Sequence, residues 1–308
     1  MGDKYTIYCV SGGSAVILHP MYTLKKSLGQ HFLRDENMAR KIVAAVTQRP
    51  KPKEAAGPGG LTEPSDVRSL VGGEALPFTQ LLEVGPGGGA LTGLLLELPD
   101  IEFRAVELDD EKVRFLQDRW PVLQGKIIHA SILDIEAPFT GPFTVIGNFP
   151  YNISSQILFK MVDWKETLQT MVGMFQKEVA QRVAAPSGSK TYGVLSVLIQ
   201  AFFNVEYLFE VHEQCFNPPP KVKSAVIRLT PRPAPAFKDE KRFTLLVKTA
   251  FQQRRKTLRN AVRSLFEPDV LQDPVFDRRA EQLTIDEFAA LTWKMPEPPE
   301  GARPKDKH

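Results

Sequence analysis

Cysteine is scarce: the 308-residue chain has two, Cys9 and Cys215, and no CxxC pair. That spacing excludes a zinc finger of ordinary geometry and supplies no disulfide framework, which fits a reducing compartment; no metal site is expected. Long apolar runs are missing too. None approaches the roughly 18 residues of a membrane span, and the apolar N-terminal stretch lacks the basic region of a signal peptide. A soluble cytoplasmic protein without a membrane partner is expected. Charge of one sign is not in excess, with 39 Lys and Arg against 36 Asp and Glu for a formal +3. Net charge therefore does not by itself argue for a nucleic-acid partner, and local clustering has to make that case. No repeat with a period of about 20 to 50 residues is present. Apolar residues are plentiful at 43%, enough for one large domain and a small one.

Proline concentrates in two stretches, 48–66 and 231–240, the latter reading PRPAPAFKDE. The second marks a domain boundary. The first separates a helix-like segment, 36–46, from a strand. A connection of about two to six residues would suffice there, so this is an insertion, spanning about 48–78. The expected organisation is an N-terminal extension over 1–23, a first domain over 24–232, a helical domain over 238–295 and a disordered tail over 296–308. Between the breaks, short apolar strands at 80–84, 102–107, 126–129, 144–148 and 170–176 alternate with helix-length segments. That alternation implies a parallel, doubly wound sheet. Two further strands, 203–212 and 222–229, follow each other without a helix and should pair antiparallel across CFNPPPK. The fold class expected is α/β: a Rossmann-like, mostly parallel seven-stranded sheet of the class I methyltransferase type, plus a small C-terminal α-helical domain.

The string from Glu83 to Thr92, EVGPGGGALT, ends the first strand and opens a helix, where glycine lets a backbone approach a ligand closely. Glu107 ends the next strand, at roughly the 20-residue spacing from which a carboxylate accepts hydrogen bonds from ribose hydroxyls. Together they specify an adenosine-containing cofactor. They do not separate NAD from S-adenosyl-L-methionine. Pro86 favours the latter, because a pyrophosphate would need the backbone N–H that proline lacks.

The fourth strand runs into NFPYNISS at 148–155, where open α/β sheets place their chemistry. An adenine amino nitrogen is a poor nucleophile because its lone pair is delocalised into the ring. Two acceptors, the Asn148 side-chain oxygen and the Pro150 carbonyl, can take the N6 hydrogens and favour the pyramidal form, while Tyr151 stacks on the base. No strong general base is required, since the methylated ammonium is acidic.

With these strings in order, the chain resembles the KsgA-type ribosomal RNA small-subunit adenine N6,N6-dimethyltransferases. The resemblance covers roughly 24–265 apart from the insertion. Besides the strings above it rests on SLGQHFL at 27–33, VELD at 106–109, QKEVAQR at 176–182, YGVLSVLIQ at 192–200, FNPPPKVKSAVIRL at 216–229 and AFQQRRKTLRNAV at 250–262. It implies S-adenosyl-L-methionine as cofactor and an immature 30S subunit as partner, met by a monomer. The implied reaction dimethylates the N6 amino group of two adjacent adenosines in a hairpin loop near the 3′ end of small-subunit (16S) rRNA. The implied cofactor contacts are His31, Leu33, Gly85, Glu107 and Asn148. Tyr151 and Phe216 are implied to sandwich the extruded adenine, and space for a first methyl group is expected near Phe149 and Phe216. One position departs: Ser131 stands where the family usually has an Asp holding the cofactor's adenine, and Asp134 follows three residues later. Either Ser131 accepts the same hydrogen bond more weakly, or Asp134 replaces it, or cofactor affinity is reduced.

The stretch 241–266 has eight basic residues and no acid, a phosphate-binding footprint on one or two helices with a buried apolar face. Lys248, Arg255 and Arg259 are expected on one face by helical spacing, with Arg254 and Lys256 beside them; Lys25, Lys26 and Arg34 could extend the surface. Competing readings are an adenine methyltransferase of large-subunit rRNA or DNA, and an assembly factor whose binding matters more than catalysis. Phe149 and QQRRKTLRN favour the small-subunit enzyme.

Overall fold

The computed structural model describes residues 31–48 and 76–297, with a two-residue ladder of Tyr5–Thr6 against His19–Pro20. Most of the N-terminal extension, the bulk of the Pro-rich insertion, Lys25, Lys26 and the tail beyond 297 lie outside the described residues.

Seven strands form one sheet: β1 Gln80–Val84, β2 Glu102–Glu107, β3 Ile127–His129, β4 Phe143–Asn148, β5 Leu168–Gln176, β6 Phe203–Val211 and β7 Ser224–Pro231. Their spatial order is β3-β2-β1-β4-β5-β7-β6. The first five run parallel, and β7 enters antiparallel between β5 and β6. The expected antiparallel pair is therefore present, and its second strand also pairs with β5. Strands buried on both faces read as apolar runs rather than alternations, as β1 does with QLLEV. Side-chain period two then sends Leu82 and Val145 into the core on one face, and Leu81 and Ile146 into the core on the other.

The helices are α1 Glu36–Thr47, α2 Thr92–Leu95, α3 Asp110–Arg119, α4 Ser154–Asp163, α5 Lys177–Val183, α6 Val194–Gln200, α7 Glu240–Gln252, α8 Leu258–Ala261 and α9 Ile285–Thr292. Asp35 caps α1 by accepting from the Met38 N–H, and the apolar face from Ala39 to Val46 is buried with Leu81, Ile146 and Val172. The other end of α1 is tied to the sheet, where the buried Arg228 guanidinium donates to the Ala45 carbonyl at 2.6 Å.

The Pro-rich boundary at 231–240 is a packed strap. Arg232 N donates to Phe202 O (2.9 Å), Lys238 N to Thr292 Oγ1 (2.8 Å) and Trp293 Nε1 to Ala236 O (2.8 Å). Phe237 stacks on Phe243 at 5.2 Å and meets Phe202 edge-on at 6.1 Å. A single buried cluster consequently runs from Phe143 and Phe203 in the sheet to Phe243 and Phe288 in the C-terminal helices.

Candidate active site

A cavity of about 940 Å³ opens at the carboxyl ends of β1, β2 and β4, and residues 31–36 contribute to its lining. The glycine loop after β1 turns through left-handed backbone at Gly85 (φ +66°), whose N–H donates to Val106 O at 2.9 Å. Gly89 is left-handed too (φ +78°), and a Cβ there would also sit 2.4 Å from the Trp120 ring. Glu107 is buried at the β2 end. Its Oε2 accepts from Gly87 N at 3.1 Å, and Oε1 accepts from Leu108 N and Asp109 N, each at 3.0 Å. Three main-chain donors thus fix the carboxylate against the loop.

His31, Leu33, Gly85, Glu107, Ser131 and Asn148 all line this cavity. Ser131 Oγ accepts from Leu133 N at 3.2 Å, closing a short turn. Asp134 is exposed and does not line the cavity, whereas Ser131 does.

Two features escaped the sequence reading. Glu83 lines the same cavity at 1% exposure; burial pushes its carboxyl up to about 8, opposed by the Thr92 hydroxyl bond (2.7 Å) and reinforced by the charge of Glu107. An acid inside the apolar run QLLEV was the available signal. Leu108, 56% exposed despite being apolar, joins Ile132 in giving the cavity apolar wall. An exposed leucine is common, so nothing in the string marked it.

At the β4 end, Asn148 Nδ2 donates to the main-chain carbonyl of His31 at 3.0 Å. That bond assigns the amide orientation, and Oδ1 accepts no hydrogen bond among the described residues. The Pro150 carbonyl receives two long contacts, from Ile153 N and Ser154 Oγ at 3.4 Å each, and keeps acceptor capacity. The Phe149 ring is turned into the core. It lies where a Cβ on Gly147 or Gly173 would come within 2.7 or 2.2 Å of it, and it packs on Phe175 at 4.9 Å.

Among the described residues Phe216 and Tyr151 make no direct ring contact. Phe216 pairs with Leu33 in a short antiparallel ladder, is 1% exposed and belongs to the core, while its neighbour Asn217 lines the cavity. The ring against Tyr151 is His31, stacked at 5.5 Å between centroids and 28° between planes.

The basic stretch divides. Helix α7 ends at Gln252 and α8 begins at Leu258, so Lys248 does not share a continuous helix with Arg255 and Arg259, and the one-face projection fails. Lys248, Arg255 and Lys256 are exposed and form no ion pair among the described residues. Arg259 instead donates to Leu271 O (2.9 Å) and pairs with Asp277 (2.8 Å), while Arg254 pairs with Glu281 (2.6 Å) and donates to Lys190 O. Arg34 Nε likewise donates to Gln214 O at 3.2 Å. Among the described residues no helix is long and apolar enough to cross a membrane, and no metal-ligating cluster occurs.

A sheet of this order, with its glycine turn after β1, acid at the end of β2 and antiparallel β7 inserted last, is that of the class I S-adenosylmethionine-dependent methyltransferases. Two solved structures share the fold. A dimethyladenosine transferase from Plasmodium falciparum aligns with TM-score 0.59 at 24% identity over 68% of this chain and 87% of that one. The 23S rRNA methyltransferase ErmE aligns with TM-score 0.59 at 22% identity over 86% and 99%. The sequence profile described as ribosomal RNA adenine dimethylase matches residues 21–293. Proteins named ribosomal RNA small subunit methyltransferase A are similar along most of their length. That of Phocaeicola vulgatus is 46% identical over 87% of this chain and 88% of its own, and that of Flavobacterium johnsoniae is 45% identical over 88% and 95%. The chain belongs to the ribosomal RNA adenine dimethylase family.

Proposed function

We propose that this protein dimethylates the N6 amino group of adenosines in small-subunit ribosomal RNA, using S-adenosyl-L-methionine. The observation that carries the reading is the anchored amide of Asn148, which spends its donor on His31 and keeps its oxygen for an amino group. The cavity residues fit the cofactor. Glu107 offers a fixed carboxylate to ribose hydroxyls, Leu108 and Ile132 offer apolar surface to a purine, and buried Glu83, protonated in the ligand-free cavity, would give up its proton to face an ammonium group. The cofactor supplies the electrophilic methyl group.

The protein's own residues then act on the base. An adenosine extruded from the RNA meets Tyr151, while Asn148 Oδ1 and the Pro150 carbonyl draw on its N6 hydrogens. As the nitrogen becomes pyramidal its lone pair leaves the ring system, and both hydrogen bonds strengthen toward the transition state. After transfer the acidic ammonium loses a proton to water. For the second transfer one hydrogen remains, so one acceptor carries the alignment. Exposed Lys248, Arg255 and Lys256 take phosphates, which position the RNA without entering the chemistry.

The test is incubation of methyl-labelled cofactor with immature small subunits, naked rRNA, large subunits and DNA, followed by nucleoside analysis. Label in N6,N6-dimethyladenosine from small-subunit RNA is expected. Label confined to large subunits or DNA would transfer the reading to those substrates, and none in any arm would refute it.

A further inference from the structure

The phenol of Tyr151 is anchored from outside its own motif. Its oxygen lies 2.5 Å from Ser224 Oγ, across 73 residues of sequence, and Ser224 is fully buried. Among the described residues Ser224 Oγ makes no other hydrogen bond. Burial pushes the Tyr151 hydroxyl up, against the opposing Ser224 bond, so it stays neutral at ordinary pH. Ser224 begins β7, where it pairs with Gln176 of β5 on one side and Val211 of β6 on the other. The anchor therefore moves with the sheet and not with a loop.

A tyrosine ring has two side-chain torsions, and a stacking platform is useful only if both are held. Packing against the His31 imidazole restrains one face, and His31 is itself held by Nδ1–H donating to the Pro218 carbonyl at 2.9 Å. Stacking alone leaves the ring free to slide and swing about its first torsion. A bond at its far end, which lies on the χ2 axis, fixes where the ring sits, while the stacked imidazole sets its rotation about that axis. We propose that Ser224 is a positioning residue, fixing the place of the Tyr151 ring on which the extruded adenine stacks. This rests on the reading of Tyr151 as that platform. Without the Ser224 hydroxyl the phenol is left buried and unsatisfied, a state it escapes by swinging toward solvent and out of the stacking position.

Full-length protein carrying Ser224→Ala, Tyr151→Phe, both together, or Ser224→Thr tests this, the last variant keeping a hydroxyl. In nuclear magnetic resonance spectra with isotope-labelled tyrosine and no RNA, the Tyr151 ring signals are identified by their loss in Tyr151→Phe. They are expected to shift and broaden in Ser224→Ala and to stay near wild type in Ser224→Thr. With RNA, Ser224→Ala and Tyr151→Phe should each lower kcat on the order of 10-fold, the scale of a slightly misplaced reactant. RNA KM and cofactor affinity should change by less than about twofold. The double variant should fall no further than either single, because both remove one bond. Unchanged Tyr151 signals in Ser224→Ala overturn the proposal whatever the RNA substrate. Multiplying kcat losses, or a loss confined to melting temperature, overturn it equally. If the wild type methylates no adenine at all, the functional reading falls, and the ring signals still decide whether Ser224 holds Tyr151.

Discussion

The Asn148 side-chain amide nitrogen donates to the main-chain carbonyl of His31 at 3.0 Å, joining residues 117 apart in sequence. The bond links the N-terminal segment to the end of β4 and decides which end of the amide faces the cavity. Two consequences follow for substitutions at Asn148. Alanine should bind RNA nearly normally while single-turnover methyl transfer falls on the order of 10²-fold or more, the scale for losing one transition-state acceptor. Aspartate keeps an acceptor but loses the donor to His31, placing a carboxylate against a carbonyl, so it should not rescue activity. Full turnover by Asn148→Ala at saturating cofactor and RNA would make the motif a structural turn.

Glu107 and Ser131 should differ in their weight on cofactor binding. The Glu107 carboxylate is held by three main-chain N–H groups and carries charge, whereas the Ser131 hydroxyl is neutral and already serves Leu133. Glu107→Ala should therefore weaken S-adenosylmethionine more than Ser131→Ala. Calorimetric titration of both variants checks the order, and equal losses would contradict the ribose assignment.

Glu83 predicts a pH signature in the ligand-free protein. Its folded-state value of about 8 lies above the ordinary 4.5, so the proton is bound more tightly in the folded chain. The stability this contributes is fully present below about pH 4.5 and is lost as pH rises through about 8, at up to about 1.4 kcal/mol per pH unit. Glu83→Gln removes that dependence. The melting temperature of the variant relative to wild type should climb from about pH 5 to about pH 9 and then level. A difference flat across that range would mean the carboxyl is ionised throughout.

The basic stretch should separate into two kinds of residue. Lys248, Arg255 and Lys256 form no ion pair among the described residues, and if they take phosphates their triple alanine variant should raise the RNA KM and flatten the salt dependence. The slope should fall by about 2 to 3 if each contacts one phosphate. Arg259→Ala should instead lower the melting temperature, because it leaves the Leu271 carbonyl and Asp277 without their partner. Salt titration of RNA binding beside thermal melts distinguishes the two. An unaltered salt slope in the triple variant would identify those three as solvated charge only.

The local strings in this chain were self-sufficient for what depends on neighbours in sequence. A glycine turn, an acid at a strand end and an Asn-x-Pro-Tyr turn impose their backbone within a few residues, so the sheet, its antiparallel addition and the cavity lining were legible. Glu83 was within reach for the same reason, as a lone acid in a buried strand. What the tertiary structure decided involves partners remote in sequence. Phe216 lies in the core because Leu33 pairs with it, Tyr151 is pinned because β7 enters beside β5, and Arg259 is committed because Leu271 and Asp277 reach it. A side chain's rotamer and its free or spent hydrogen bonds are set by whatever the packed core brings alongside, and sequence periodicity carries no record of those neighbours.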